Sequence, residues 1–194
     1  MRITGGSARG HRLATPGAGK AGIRPTSDRV REALFNILGD RVRQALVLDL
    51  FAGTGALGLE ALSRGAEHAV FIDRSARALA TIRTNLQRCF PSPPASVIRL
   101  DLARPGALAR LAAGMPGEAL FDLVFLDPPY EKNLALQALE MVDRAGILAP
   151  GAVVVAEEER NQQLPRATGC LQRIDQRRYG GTGLWIYKNE SGSR

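Results

Sequence analysis

Four carboxylates, each closing an apolar run, mark where this 194-residue chain could do chemistry. The first is Asp49, in Val47-Leu48-Asp49-Leu50-Phe51-Ala52-Gly53-Thr54-Gly55-Ala56-Leu57-Gly58, where a buried strand enters a glycine loop that opens a helix. Gly53, Gly55 and Gly58 meet the G-x-G-x-x-G pattern of dinucleotide sites, and Asp73 closes the next apolar run. A pyrophosphate beside Asp49 would meet like-charge repulsion. S-adenosylmethionine has no phosphate, and its ammonium and sulfonium would be attracted there, while loop and helix N–H groups bind its carboxylate. Asp73 is placed to accept from ribose hydroxyls, although such an acid also serves as a helix cap, a role Ser75 could equally fill. Asp101, after Val97-Ile98-Arg99-Leu100, could accept from an adenine amino group or be a plain loop acid.

The fourth carboxylate is Asp127, in Phe121-Asp122-Leu123-Val124-Phe125-Leu126-Asp127-Pro128-Pro129-Tyr130. A strand delivers it to the C-terminal edge, where open α/β sheets bind ligands. Two prolines then end strand pairing and stiffen the turn. The product is a rigid display of the Asp127 carboxylate, the Pro128 carbonyl and the Tyr130 ring. An exocyclic amine on a nucleobase is a poor nucleophile because its lone pair is delocalised into the ring. Two acceptors can hold both of its N–H groups and draw the nitrogen toward tetrahedral geometry, while Tyr130 stacks on the base.

These residues need a scaffold of alternating strands and helices, and the apolar periodicity supplies it. Strands are expected over Ala45–Leu50, Ala69–Asp73, Ser96–Leu100, Asp122–Asp127, Ala152–Glu157 and Leu184–Lys188. Helices are expected over Leu57–Ser63, Ala76–Gln87, Gly106–Ala113 and Leu134–Ala145, and another from Ser27-Asp28 to about Leu38. The pattern predicts a doubly wound, mostly parallel seven-stranded α/β sheet. A C-terminal antiparallel hairpin would follow, with Leu171–Arg178 and Leu184–Lys188 flanking Tyr179-Gly180-Gly181-Thr182-Gly183. Residues 1–13 read equally as a short hairpin or a mobile arm.

Charge is distributed unevenly. Residues 1–44 carry nine Lys/Arg against three Asp/Glu (+6), residues 45–159 ten against fourteen (−4), and residues 160–194 seven against two (+5). An acidic middle between basic ends suggests a catalytic core bearing positive surfaces for a polyanion. The organisation expected is a basic extension for that polyanion, 1–44, on a Rossmann-like catalytic domain, 45–194. No apolar run reaches the ~20 residues that span a bilayer, and no signal-like segment follows Met1, so a cytoplasmic protein with no membrane partner is expected. Cys89 and Cys170 form neither a metal-ligand spacing nor a disulfide framework, and no metal is expected. His11 and His68 are read as surface histidines. Monomer is the simplest state.

With these residues in view, the chain resembles the class I S-adenosylmethionine-dependent methyltransferases, and within them the amino-methylating group with an Asp/Asn-Pro-Pro-Tyr/Phe motif. Gly5-Gly6 with Arg9-Gly10, the string Arg24-Pro25-Thr26-Ser27-Asp28-Arg29-Val30-Arg31-Glu32-Ala33-Leu34-Phe35-Asn36, and Leu59-Glu60-Ala61-Leu62-Ser63-Arg64-Gly65 narrow the resemblance to the RsmD family. Those bacterial enzymes methylate the N2 amine of one guanine in 16S ribosomal RNA. The resemblance implies that Asp49, Phe51, Gly53, Thr54 and Gly55 line the methionine end of the cofactor, that Asp73 holds the ribose and that Asp101 holds the adenine. Asp127, Pro128 and Tyr130 would be catalytic, and S-adenosylhomocysteine would be the product. It further implies that the N-terminal arm, through Arg9 and Arg12, and the stretch containing Arg24, Arg29 and Arg31 contact 16S rRNA. The partner would be the small ribosomal subunit or a late assembly intermediate. His11 departs from the family pattern, where a basic residue usually follows Arg-Gly. Competing readings are a nucleic-acid adenine-N6 methyltransferase, a protein glutamine methyltransferase, an NAD-dependent oxidoreductase and a non-enzymatic RNA-binding protein.

Overall fold

In the computed structural model, which describes residues 1–15, 27–104, 106–114, 120–129 and 133–192, the chain divides into two compact units, Met1–Leu100 and Asp101–Arg194. The first unit is built on β1 (Leu46–Leu50), β2 (His68–Asp73) and β3 (Ala95–Arg99), in the order β3-β2-β1 and all parallel. Val47, Leu48 and Leu50 of β1 and Ala69, Phe71 and Ile72 of β2 are buried. Such continuous apolar runs are what a sheet covered on both faces demands.

The crossovers are α2 (Ala56–Ser63) and α3 (Ala76–Cys89). Every residue of α2 is buried, and α3 buries Ala78, Leu79, Ile82, Asn85, Leu86 and Cys89 along one face. Ser75 caps α3 by accepting from the Ala78 N–H at 3.3 Å. Helix α1 (Asp28–Leu38) begins with Ser27 accepting from Val30 N–H and ends at Gly39, φ 55°. It buries Val30, Leu34, Phe35 and Leu38.

Residues 1–13 form a docked hairpin. Arg2 and Arg12 pair antiparallel, Ile3 N–H donates to His11 carbonyl at 3.0 Å, and Gly10 N–H to Ile3 carbonyl at 2.9 Å. Ile3, Ala8 and Leu13 point inward and are buried. Residues 1–44 thus pack within the same unit as β1–β3.

The second unit contains β4 (Phe121–Leu126) and β5 (Leu148–Glu159), which are parallel, then β6 (Ala167–Thr168), β7 (Leu171–Tyr179) and β8 (Thr182–Asn189). Its order is β4-β5-β8-β7-β6, with β8 antiparallel to β5 and β7. Helices α4 (Ala107–Gly114) and α5 (Leu134–Arg144) complete it. Eight strands are present among the described residues, against seven in the sequence reading. The additional one, β6, has two residues and is too short to leave a periodic signature. Strand β5 begins four residues earlier than the apolar run because Pro150-Gly151, a breaker in sequence, is absorbed in a register shift between Phe121 and Leu123. Among the described residues, no helix is long and apolar enough to cross a membrane, and no cluster of three or more His, Cys, Asp or Glu could hold a metal.

Candidate active site

The glycine loop after β1 carries three residues with left-handed φ: Phe51 at 61°, Gly53 at 54° and Gly55 at 76°. For Phe51 that conformation is costly, and the surrounding bonds must hold it. Three follow it directly: Ala52 N–H donates to Ile72 carbonyl at 3.0 Å, Gly53 N–H to Asp73 Oδ2 at 3.0 Å, and Gly55 N–H to Ala52 carbonyl at 2.6 Å. Gly58 is needed for space rather than conformation, because a Cβ there would run into the Phe71 ring. The loop then feeds α2 with no side-chain cap, so the first-turn amides, which lack intrahelical acceptors, are the natural seat for a carboxylate.

Asp49 lies beneath that loop, 1 % exposed, with Oδ2 accepting the Gly58 N–H at 2.9 Å. Burial pushes its carboxyl up to about 8; the Gly58 bond opposes this and the nearby Asp73 charge adds to it. The sequence reading took Asp49 as a standing negative charge. In the fold it is a protonated acid near neutral pH, which an arriving cation would ionise and an anion would keep protonated. Asp73 has two jobs visible at once. Oδ2 pins Gly53, while Oδ1 accepts the Ser75 N–H at 2.8 Å, and Ser75 itself provides the helix cap. Each oxygen retains a second lone-pair direction for a hydroxyl.

In the second unit, β4 ends at Leu126 and delivers a half-buried Asp127, a buried Pro128 and an exposed Pro129. Tyr130 lies outside the described residues. Asp101, half-buried, accepts the Ala103 N–H on Oδ1 at 3.2 Å, and its carbonyl accepts from Arg104 N–H at 3.2 Å. It therefore shapes the turn into α4, whatever else its second oxygen does.

The basic residues separate into two kinds. Arg9, Arg12 and Arg29 are exposed, as is His11. Arg24 lies outside the described residues. Arg31, expected at the RNA surface, is fully buried, and this expectation is corrected. Its Nε donates to Glu60 Oε2 at 3.1 Å, and Nη2 donates to Asp28 Oδ1 at 2.9 Å and to the Arg2 carbonyl. A guanidinium so engaged cannot reach a phosphate.

Glu60, also fully buried, is the hub that sequence reasoning missed. Its oxygens accept from Thr4 N–H and Oγ1 at 2.8 and 2.6 Å, Gly5 N–H at 2.8 Å, Arg31 Nε at 3.1 Å and Arg64 Nε at 2.9 Å. Burial alone would raise its carboxyl, but the Thr4 bonds and the two guanidinium groups outweigh it and hold the pKa below the ordinary value. Ser63 adds to the same grip: its carbonyl accepts the Ser7 N–H at 2.7 Å and its hydroxyl the Ala8 N–H at 2.9 Å. The signal was present as a lone charge inside the otherwise apolar helix Ala56–Ser63.

The ribosomal RNA small subunit methyltransferase D of Haemophilus influenzae is 38% identical over 169 residues, covering 84% of this chain and 81% of that protein. The protein of the same name from Escherichia coli K12 is 34% identical over 192 residues, covering 98% and 91%. The solved structure of yhhF from Escherichia coli superposes with a TM-score of 0.81 at 34% identity, covering 98% of both chains. A family model matches residues 1–188, so the chain belongs to the family described as "Conserved hypothetical protein 95".

Proposed function

We propose that this protein is an rRNA methyltransferase that transfers a methyl group from S-adenosylmethionine to the exocyclic N2 amine of a guanine in 16S rRNA. The observation that carries the reading is the end of β4, where an apolar strand presents the half-buried Asp127 on a turn stiffened by Pro128 and Pro129. Relatives named small-subunit rRNA methyltransferase D support the reaction class and the RNA.

The residues of the first unit fit the cofactor: Gly53–Gly55 to line its methionine end, the Ala56 and Leu57 amides of α2 for its carboxylate, Asp49 for its cationic end, Asp73 for the ribose hydroxyls. When bound, the cofactor supplies an activated methyl carbon. The protein supplies orientation and electrostatics. Asp127 accepts an N–H of the guanine amine and strengthens that bond as positive charge grows on nitrogen, so it stabilises the transition state more than the ground state. The Pro128 carbonyl holds the second N–H, and Tyr130 stacks on the base. Asp101 receives the adenine amino group. The exposed Arg9, Arg12 and Arg29, with Arg24, lay the RNA backbone along the extension of residues 1–44, and the substrate is the small subunit or a late assembly intermediate. The protein works as a cytoplasmic monomer without a metal.

A nicotinamide dinucleotide is the ligand of the alternative reading that shares the glycine loop. A phosphate there would keep Asp49 protonated and gain nothing from it, whereas a sulfonium and ammonium gain an ion pair. The test supplies labelled S-adenosylmethionine and this protein to small subunits from a strain lacking the activity, followed by digestion to nucleosides. N2-methylguanosine is expected. N6-methyladenosine as the sole labelled product, or no labelled nucleoside, would overturn the assignment.

A further inference from the structure

Asn85 is a wholly buried amide on the apolar face of α3, between Ile82 and Leu86. A polar side chain there is costly unless every polar atom finds a partner. It has three bonds. Oδ1 accepts the Ala14 N–H at 2.7 Å, and Nδ2 donates to the Ala14 carbonyl at 3.1 Å and to the Thr54 carbonyl at 3.0 Å. Ala14 directly follows the docked hairpin. Thr54 is the residue between the left-handed Gly53 and Gly55, at the turn of the glycine loop. One side chain therefore ties the hairpin's end and the loop's main chain to the same helix. A second contact runs beside it, with Thr54 Oγ1 3.9 Å from Met1 Sδ.

We infer that Asn85 is a positioning residue through which the docked N-terminal hairpin sets the shape of the cofactor loop, making the hairpin part of the cofactor site. This rests on reading Gly53–Gly55 as the cofactor loop. The loop holds Phe51 in a costly left-handed φ and needs bracing from outside, and Asn85 supplies part of it at the Thr54 carbonyl. An apolar side chain of the same volume would pack as well and leave Thr54 and both Ala14 groups unpaired.

The test uses the full chain and two variants acting at opposite ends of the link. Asn85→Leu keeps the volume and removes the bonds. Gly6→Ala undocks the hairpin without touching Asn85 or the loop, because Gly6 has φ 77° and a Cβ would collide with the Ser63 carbonyl. Hydrogen exchange at residues 50–58, followed by mass spectrometry, should accelerate in both variants, and S-adenosylmethionine should bind roughly tenfold more weakly to Asn85→Leu. In methyl transfer, KM for the cofactor should rise while kcat at saturation stays within about twofold. The double variant should bind no more weakly than the worse single variant, because both break one link. Unchanged exchange at residues 50–58 in folded Gly6→Ala overturns the inference, as does an unchanged cofactor affinity in Asn85→Leu. A wild-type chain that fails to bind S-adenosylmethionine would instead refute the proposed function, and the exchange measurement would still decide the link. If Asn85→Leu does not fold, Gly6→Ala decides alone.

Discussion

Replacing Asp49 by Asn changes no volume and keeps an acceptor for the Gly58 N–H, yet removes the titration. In the unfolded chain this carboxyl titrates near 3.8, and in the fold it is pushed up to about 8. Between those values the folded state holds a proton that the unfolded state has lost, so stability falls as pH rises and levels off above about 8. Ionising the acid in place costs on the order of 5 kcal/mol. From pH 5.5 to 8 the wild-type chain should lose about 3 kcal/mol through this one group, at roughly 1.4 kcal/mol per pH unit. Asp49→Asn should lose none of it. Urea unfolding of both chains at four pH values and constant ionic strength measures the difference, and subtraction removes the contributions of Glu60, Glu158 and every other shared group. Parallel stability profiles would refute the reasoning. The functional counterpart follows from the same charge. A cationic cofactor draws Asp49 toward its ionised form, so binding near pH 7 should release up to one proton and tighten as pH rises toward 8. Titration calorimetry in buffers of different ionisation enthalpy reads that proton. Asn at position 49 should release none and bind at least tenfold more weakly.

Asp127→Ala should lower kcat by ~10²–10³ with little change in cofactor affinity, measured by steady-state methyl transfer to small subunits and direct titration. Single Arg→Ala changes at Arg9, Arg12 or Arg29 should each flatten the plot of log K against log salt by about one, as a lost phosphate contact does. Arg31→Ala should behave otherwise: Glu60 keeps Arg64 and three hairpin donors but loses a charge-assisted bond, so unfolding free energy should fall by about 1.5–3 kcal/mol in chemical denaturation while the salt slope of the folded fraction is unchanged. Glu60→Gln should release the hairpin, seen as faster proteolysis within residues 1–13, because five donors lose their carboxylate.

The strand–helix alternation was legible because each element satisfies a short-range rule. Apolar runs such as Val47–Leu50 and Leu123–Leu126 must be buried on both faces, and Ser27 and Ser75 sit where their hydroxyls cap the next helix. The boundary of β5 was less legible, since Pro150 and Gly151 stop a strand by local rules and are tolerated only because a register shift against β4 accommodates them. Of the candidate site, the glycine loop and the strand-end acids could be found from type and spacing alone. What each acid does there could not.

The sequence by itself determined which chemical groups arrive at the strand ends, because two-residue and 3.6-residue periods convert composition into direction over a few residues. The tertiary structure alone decided three things: that burial pushes the Asp49 carboxyl up, that Arg31 is spent on Glu60 rather than RNA, and that Asn85 joins Ala14 to Thr54. Each depends on groups 29 to 71 residues apart or on exclusion of water, and neither burial nor long-range partnership has a local signature.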